Sequence, residues 1–443
     1  MYDLLIHGGT VVTVDPAETI LNDAWLAVKD GAIAALGASR QAGPLPAAAE
    51  TIDARGGIVM PGLVNAHTHL PMLLFRGLAD DLPLMSWLND YVFPAEAAFV
   101  TPDNVDAATR LACAELLLGG VTACCDGYFR EDRVAAAVNE MGLRAVLGQG
   151  VVDFPAPGVE DPARNLAVAE AFVDRWTDRH SMIKPSIFCH APYTCRPETL
   201  RRAKAIARAA GVLFQIHAAE TRDEVHRIRE QYGRTPVAHL DHLGLLDPET
   251  LLVHGVWMDA DDIARAADAG AGIVHCPESN MKLGAGIAPV PRFLEKGLTV
   301  GLGTDGCASN NDQDLFREMD MAAKLHKLAA GDPTVVPAST ALKMATIEGA
   351  RAIGLGDLAG SLEVGKRADI IILDSRHPRM RPMFNPVSQA VYAAGADCVR
   401  DTIVDGRVRV RSRRLVEWDL KRLMAPVETV ARQISPGIGP LPK

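Results

Sequence analysis

The chain has 443 residues, 48% hydrophobic and 23% charged, with a formal net charge of -10. That is the composition of a globular protein long enough for one large domain and a smaller one. The acidic balance argues against a nucleic-acid surface, which needs concentrated Lys and Arg, and no run approaches the ~18–20 apolar residues of a membrane helix.

The opening "MYDLLIHGGTVV" reads as a strand and lacks the basic segment and cleavage site of a signal peptide. Eight cysteines occur with no CxxC spacing, the pattern of reduced, mostly buried thiols in a cytoplasmic protein. Short strands and turns fill residues 1 to 60, with Asp30-Gly31 as a hairpin turn.

From residue 57 a different pattern recurs, in which an apolar run ends in a polar residue and a helical stretch follows. The runs are "GIVMPGLVNAHTH", "GVTACCDGY", "RAVLGQGVVD", "PSIFCHAPY", "VLFQIHAAE", "TLLVHGV", "AGIVHCPESN" and "LTVGLGTDG". The first intervening helix has Thr101 as N-cap, Pro102 at its first position and Gly119 just past its end. Eight strand–helix units predict a closed (β/α)8 barrel of the TIM type. Residues 361–415 return to the texture of the first 60, with Asp405-Gly406 as a second hairpin turn. Residues 1–60 and 361–415 are therefore expected to form one small composite β-sandwich. The barrel spans 61–360, and 416–443 is a peripheral helix with a loose end.

In such a barrel the active site lies at the C-terminal ends of the strands. Those ends carry His67 and His69, Asp126, Gln149 or Asp153, His190, His217 with Glu220, His254, His275 with Ser279, and Asp305. Six of the 13 histidines fall there. His67 and His69 lie two apart on one strand and so face the same side. Three imidazoles and one carboxylate make a shell for zinc or iron(II), which predicts His67, His69, His217 and Asp305 as metal ligands. His254 sits beside the bound water.

"HTH" on the first strand, "HAAE" on the fifth, "HGV" on the sixth and "GTDG" on the eighth resemble the amidohydrolase superfamily, in its cytosine deaminase/chlorohydrolase-like branch. The resemblance runs over nearly the whole chain. It implies one divalent metal ion, foremost Zn2+ with Fe2+ or Mn2+ as alternatives, because "SIFCHAPYT" carries His190 and no lysine to bridge a second. The segments "HTHLPMLLFRGLADDLPLMSWLNDYVFPAE", "HAAET", "HCPESNMKLGAGIAPV" and "GTDGCASNN" are similar to 5'-methylthioadenosine/S-adenosylhomocysteine deaminases. That likeness implies that Glu96 holds ribose hydroxyls and that His190 contacts substrate. It also implies a homo-oligomer, dimer or tetramer. The family supplies an arginine from the third strand; here "VLGQGVVD" offers Gln149 instead.

The chemistry follows from the residues. A bound Zn2+ lowers the pKa of its water from about 16 to about 7. Asp305 takes the water proton and passes it to the leaving amine, His254 steadies the developing charge, and Glu220 protonates the ring nitrogen. With the likeness to those deaminases, the reaction implied is hydrolytic deamination of an adenine nucleoside with a modified 5' group: methylthioadenosine, S-adenosylhomocysteine or adenosine. The alternative is an aminohydrolase or chlorohydrolase acting on a free purine or pterin base or an s-triazine. Ser279 and Asn280 are candidates for substrate contact or for shaping the seventh loop, and His275 for supporting the metal shell or for the core. Trp87 and Met85 are candidates for an apolar wall or for plain packing.

Overall fold

The computed structural model describes residues 1–38, 45–82 and 84–437. The first five strands are β1 (Tyr2–Val12), β2 (Ile20–Lys29), β3 (Ala32–Ala38), β4 (Ala48–Asp53) and β5 (Ile58–Pro61). Then come β6 (Leu63–His69), β7 (Val121–Tyr128), β8 (Arg144–Val151), β9 (Ile183–Cys189), β10 (Leu213–Ala218), β11 (Thr250–His254), β12 (Gly272–His275), β13 (Val300–Leu302) and β14 (Asp305–Gly306). The last four are β15 (Ile370–Leu373), β16 (Val399–Val404), β17 (Arg407–Arg411) and β18 (Arg414–Leu415).

The strands from the two chain ends form one mixed sheet of order β18-β17-β16-β15-β5-β1-β2-β3, with β4 beside β1. One apolar cluster takes side chains from strands as far apart in that order as β3 (Ile33) and β16 (Ile403), together with Leu26, Ile52 and Ile370. Both foreseen hairpins are present. Asp30 and Gly31 have φ of 51° and 74°, and Asp405 and Gly406 have 54° and 76°, the left-handed pair that a two-residue turn between right-twisted strands requires.

The second sheet is parallel, in the order β13-β12-β11-β10-β9-β8-β7-β6-β14. β13 and β14 are successive pieces of the eighth strand; one pairs with β12 and the other with β6, so the order closes on itself. The strands are buried along almost their whole length, as parallel strands covered on both faces must be. The sequence run "GIVMPGLVNAHTH" is not one strand but two, β5 and β6, assigned to different sheets. Gly62 separates them, and a Cβ there would lie 2.1 Å from the Thr122 hydroxyl. The helix Pro102–Leu118 starts and stops where its capping residues indicated, and Thr101 Oγ1 accepts from the Asn104 N–H.

The described residues gather into two compact units. One comprises Met1–Asn65, Glu115–Ala123 and Asp314–Trp418; the other comprises Ala66–Ala114, Cys124–Gln313 and the chain from Asp419. In the second unit the helix Leu420–Gly437 packs against the segments Leu70–Phe75 and Phe93–Phe99. Leu423, Val427, Val430 and Ile434, spaced along one face, are buried. All eight cysteines are buried, and none is paired in a disulfide. Among the described residues no helix is long and apolar enough to cross a membrane.

Candidate metal centre and its cavity

The alternation of β6 turns His67 and His69 to one side, and both are buried. His217 reaches the same point from β10 and Asp305 from β14. His67 Nε2 stands 3.2 Å from His217 Nε2 and 3.5 Å from Asp305 Oδ1, and His69 Nε2 is 3.2 Å from that oxygen. Donors bound at 2.0–2.2 Å to one tetrahedral ion stand roughly 3.3–3.6 Å apart. The four side chains therefore have the chemistry and the spacing of a divalent-metal site.

The protonation of His67, His217 and Asp305 suits that role, since ligands must present lone pairs; for His69 burial is outweighed by the hydrogen bond and charge of Asp305, which raise the imidazole above its usual value. Burial pushes His67 down to about 4 and His217 well below the usual imidazole value. Burial also opposes ionisation of Asp305, but the hydrogen bonds of His67 and His69 outweigh it and hold the carboxyl far below its ordinary range. His69 Nδ1 donates to the Gly127 carbonyl at 2.6 Å, which leaves Nε2 facing the cluster. Asp305 Oδ2 accepts from the hydroxyls of Ser279 (2.7 Å) and Ser309 (2.8 Å), leaving Oδ1 free to turn inward.

The strand ends around the cluster are strained. Ala219, His254 and Asp305 have φ of 54°, 77° and 60°, a region that non-glycine residues occupy at a cost of about 1–3 kcal/mol and that concentrates at functional sites. Each turn aims a polar side chain. The turn at Ala219 is held by Glu224, whose two oxygens accept from the N–H groups of Ala219 (2.9 Å) and Glu220 (2.8 Å). Glu220 is thereby set with Oε1 3.9 Å from His254 Nε2. Burial, reinforced by the Asp305 charge, raises the Glu220 carboxyl to about 8. The Asn280 amide nitrogen lies 3.0 Å from His254 Nδ1, so Nδ1 accepts and Nε2 carries the hydrogen. Burial keeps His254 and His190 neutral by lowering each to about 4.

A cavity of about 460 Å3 opens over the cluster, and Glu220, His254, Asp305, His190 and Glu96 all line it. Glu96, on the helix Phe93–Phe99, is buried and accepts from the Tyr128 hydroxyl. Burial raises its carboxyl to about 7 against that hydrogen bond.

The model of the Amidohydrolase family matches residues 58–409. A 5-methylthioadenosine/S-adenosylhomocysteine deaminase of Syntrophobacter fumaroxidans is 46% identical, over 98% of this chain and 99% of its own. The chain belongs to the amidohydrolase family. A 5'-deoxyadenosine deaminase of Methanosarcina mazei is 40% identical over 98% of this chain and 99% of its own. Among solved structures, a zinc-bound adenosine deaminase from Xanthomonas campestris superposes with a TM-score of 0.96 at 39% identity, covering 98% of this chain and 99% of that one.

Two side chains expected to touch substrate in this amidohydrolase are turned elsewhere. Gln149 does not line the cavity; its Oε1 accepts from the Glu131 N–H and its Nε2 donates to the Gly150 carbonyl. Ser279 also lies outside the lining and holds Asp305 instead. Asp126 accepts from the Leu70 N–H just past the His69 strand end. Asp153 accepts from Arg196 N–H and Thr199 at the start of the helix Pro197–Ala210. His275 is fully buried outside the lining. Trp87 lines the cavity, whereas Met85 lines a separate one with Trp257. The sequence reading missed Tyr128, Ser309 and Glu224. Tyr128 had a signal, because it lies two residues beyond Asp126 on β7 and faces the same side. Glu224 and Ser309 had none, since each acts through a turn that exists only in the folded chain.

Proposed function

We propose that the protein is a metal-dependent aminohydrolase that deaminates an adenine nucleoside carrying a modified 5' group, releasing ammonia and the inosine analogue. His67, His69, His217 and Asp305 hold the ion, zinc foremost. A divalent ion there supplies Lewis-acid activation of water. Asp305, ionised, accepts the proton of the attacking water and returns it to the departing amine. His254 donates from Nε2 to the attacking oxygen, a role that its Asn280-fixed tautomer permits. Glu220, protonated at neutral pH by its burial, donates to the ring nitrogen next to the attacked carbon. His190 and Glu96 hold the substrate, Glu96 by accepting from the vicinal ribose hydroxyls.

The observation that carries this reading is a buried carboxyl group, Glu96, lining the same cavity as Glu220 and three of the four cluster residues, His69, His217 and Asp305. The cluster and Glu220 suit an amidine of any ring, whereas Glu96 adds an acceptor suited to a sugar diol. The relatives named above as deaminases of methylthioadenosine, S-adenosylhomocysteine and 5'-deoxyadenosine are consistent with it. The test is an ammonia-release screen with methylthioadenosine, S-adenosylhomocysteine, adenosine, adenine, guanine and melamine. Turnover confined to the three nucleosides supports the reading; turnover of a free base or melamine alone refutes it.

A further inference from the structure

The cavity does not end at Glu96. Phe93 precedes Glu96 by one turn of the same helix, and its ring centroid lies 6.0 Å from that of Phe154. Phe154 is 37% exposed although it lines a cavity. Val152, Pro155 and Pro157 continue the wall from the β8 loop. An aromatic left this open at a cavity mouth has apolar surface for a ligand to cover.

The charges point the same way. Glu96, Glu160, Glu220 and Asp305 place four acidic side chains in the lining, of which Glu220 is held protonated and Asp305 belongs to the metal cluster. Arg130 is the single Lys or Arg among the described lining residues. Its Nε donates to the Val100 carbonyl at 2.7 Å, and its guanidinium lies against Gly158. Gln149, on the strand that leads into this wall, spends its amide on backbone. A carboxylate entering here would lose its water against an apolar wall, with Arg130 the single cation among the described lining residues.

Building on the nucleoside reading above, we infer that the Phe93–Phe154 wall is the 5' subsite and selects an uncharged, apolar 5' substituent, a methyl or thioalkyl group, against a zwitterionic amino-acid tail. The base occupies the cluster end, the ribose diol meets Glu96, and the 5' arm lies along the two rings. A thioether sulfur packs favourably on such rings.

The test compares kcat/KM of the metal-loaded enzyme for methylthioadenosine, a neutral 5'-butylthioadenosine and S-adenosylhomocysteine. The neutral butylthio compound separates length from charge. S-adenosylhomocysteine is expected to fall below the butylthio compound by roughly tenfold or more. Values within about threefold of each other, whether both high or both low, overturn the inference, because charge is then not what is read. Phe154→Arg, at a partly exposed position, is expected to raise the S-adenosylhomocysteine to methylthioadenosine ratio roughly tenfold by giving the tail a partner. An unchanged ratio counts against the subsite. Arg130→Ala removes the remaining cation; a loss confined to S-adenosylhomocysteine would show that Arg130 reads the tail and would overturn the inference. If none of the nucleosides is deaminated while a free base is, the nucleoside reading itself falls. Equal use of charged and neutral nucleosides removes only the 5' selectivity.

Discussion

Glu96→Ala tests the substrate reading most directly. The carboxylate is buried, and one of its oxygens already accepts from Tyr128, which fixes the side chain and leaves acceptor positions on both oxygens. Two ribose hydroxyls donating to it make two charge-assisted bonds of about 1.5–3 kcal/mol each. Their loss amounts to about 3–6 kcal/mol, or roughly 10²–10⁴-fold in kcat/KM. The assay is ammonia release at pH 8, above the value of about 7 to which burial raises this carboxyl, so that most of it is ionised. A matched substrate lacking the 2' and 3' hydroxyls completes a double-mutant cycle. Wild type should lose on that substrate what the variant loses on the full nucleoside, and the variant should lose little more. If Glu96→Ala costs as much on the dideoxy compound as on the parent, the carboxylate does not read the diol and the assignment fails.

Glu220→Gln should keep its full metal content, because no ligand is touched, while ammonia release drops roughly 10²–10⁴-fold; metal analysis beside the rate separates this from loss of the site, and a wild-type rate would end the proton-donor role. Chelation should abolish activity and lower the melting temperature, since an ion present at about 1,000 times its Kd stabilises by about 4 kcal/mol; zinc should restore both, and unchanged melting after verified metal loss would contradict a site built around an ion. Lys204 is buried and donates to Asp247 (2.5 Å) and Thr250 (2.8 Å). Burial raises the Asp247 carboxyl, but the hydrogen bonds of Lys204 and Arg208 outweigh it and hold it below its ordinary range. That stability is present above the unfolded value of about 3.9 and is lost as pH falls through the lower folded value. Lys204→Ala should therefore cost about 2–3 kcal/mol at pH 7, less than a fully buried pair because Arg208 remains. In urea titrations the gap to wild type should narrow below about pH 4; a gap constant with pH would refute the ion-pair account.

Much of this molecule was legible in the chain because its patterns are local. Apolar runs ending in polar residues mark eight parallel strands, the spacing of two puts His67 and His69 on one face, and Thr101-Pro102 and Gly119 bracket a helix. Asp30-Gly31 and Asp405-Gly406 dictate their turns because few other residues adopt positive φ twice in succession. Each depends only on neighbours along the backbone. What the chain could not reveal depends on neighbours across it. Asp305 joins His67 and His69 because β14 pairs with β6, bringing Asp305 opposite Thr68. Glu220, His254 and Asp305 point inward because three non-glycine residues accept left-handed backbone, a strain that only the closed barrel holds in place. Gln149 ends its strand as the ligands end theirs, yet it faces Glu131 and Gly150, since a backbone N–H within reach satisfies its amide. Glu96 reaches the cavity wall beside Tyr128, and Phe154 beside Phe93, through contacts between segments far apart in the chain. The sequence thus determined the metal chemistry, carried by residue types at strand ends. Only the tertiary structure decided which side chains line the cavity beside the metal cluster, because its walls are assembled from segments distant in the chain.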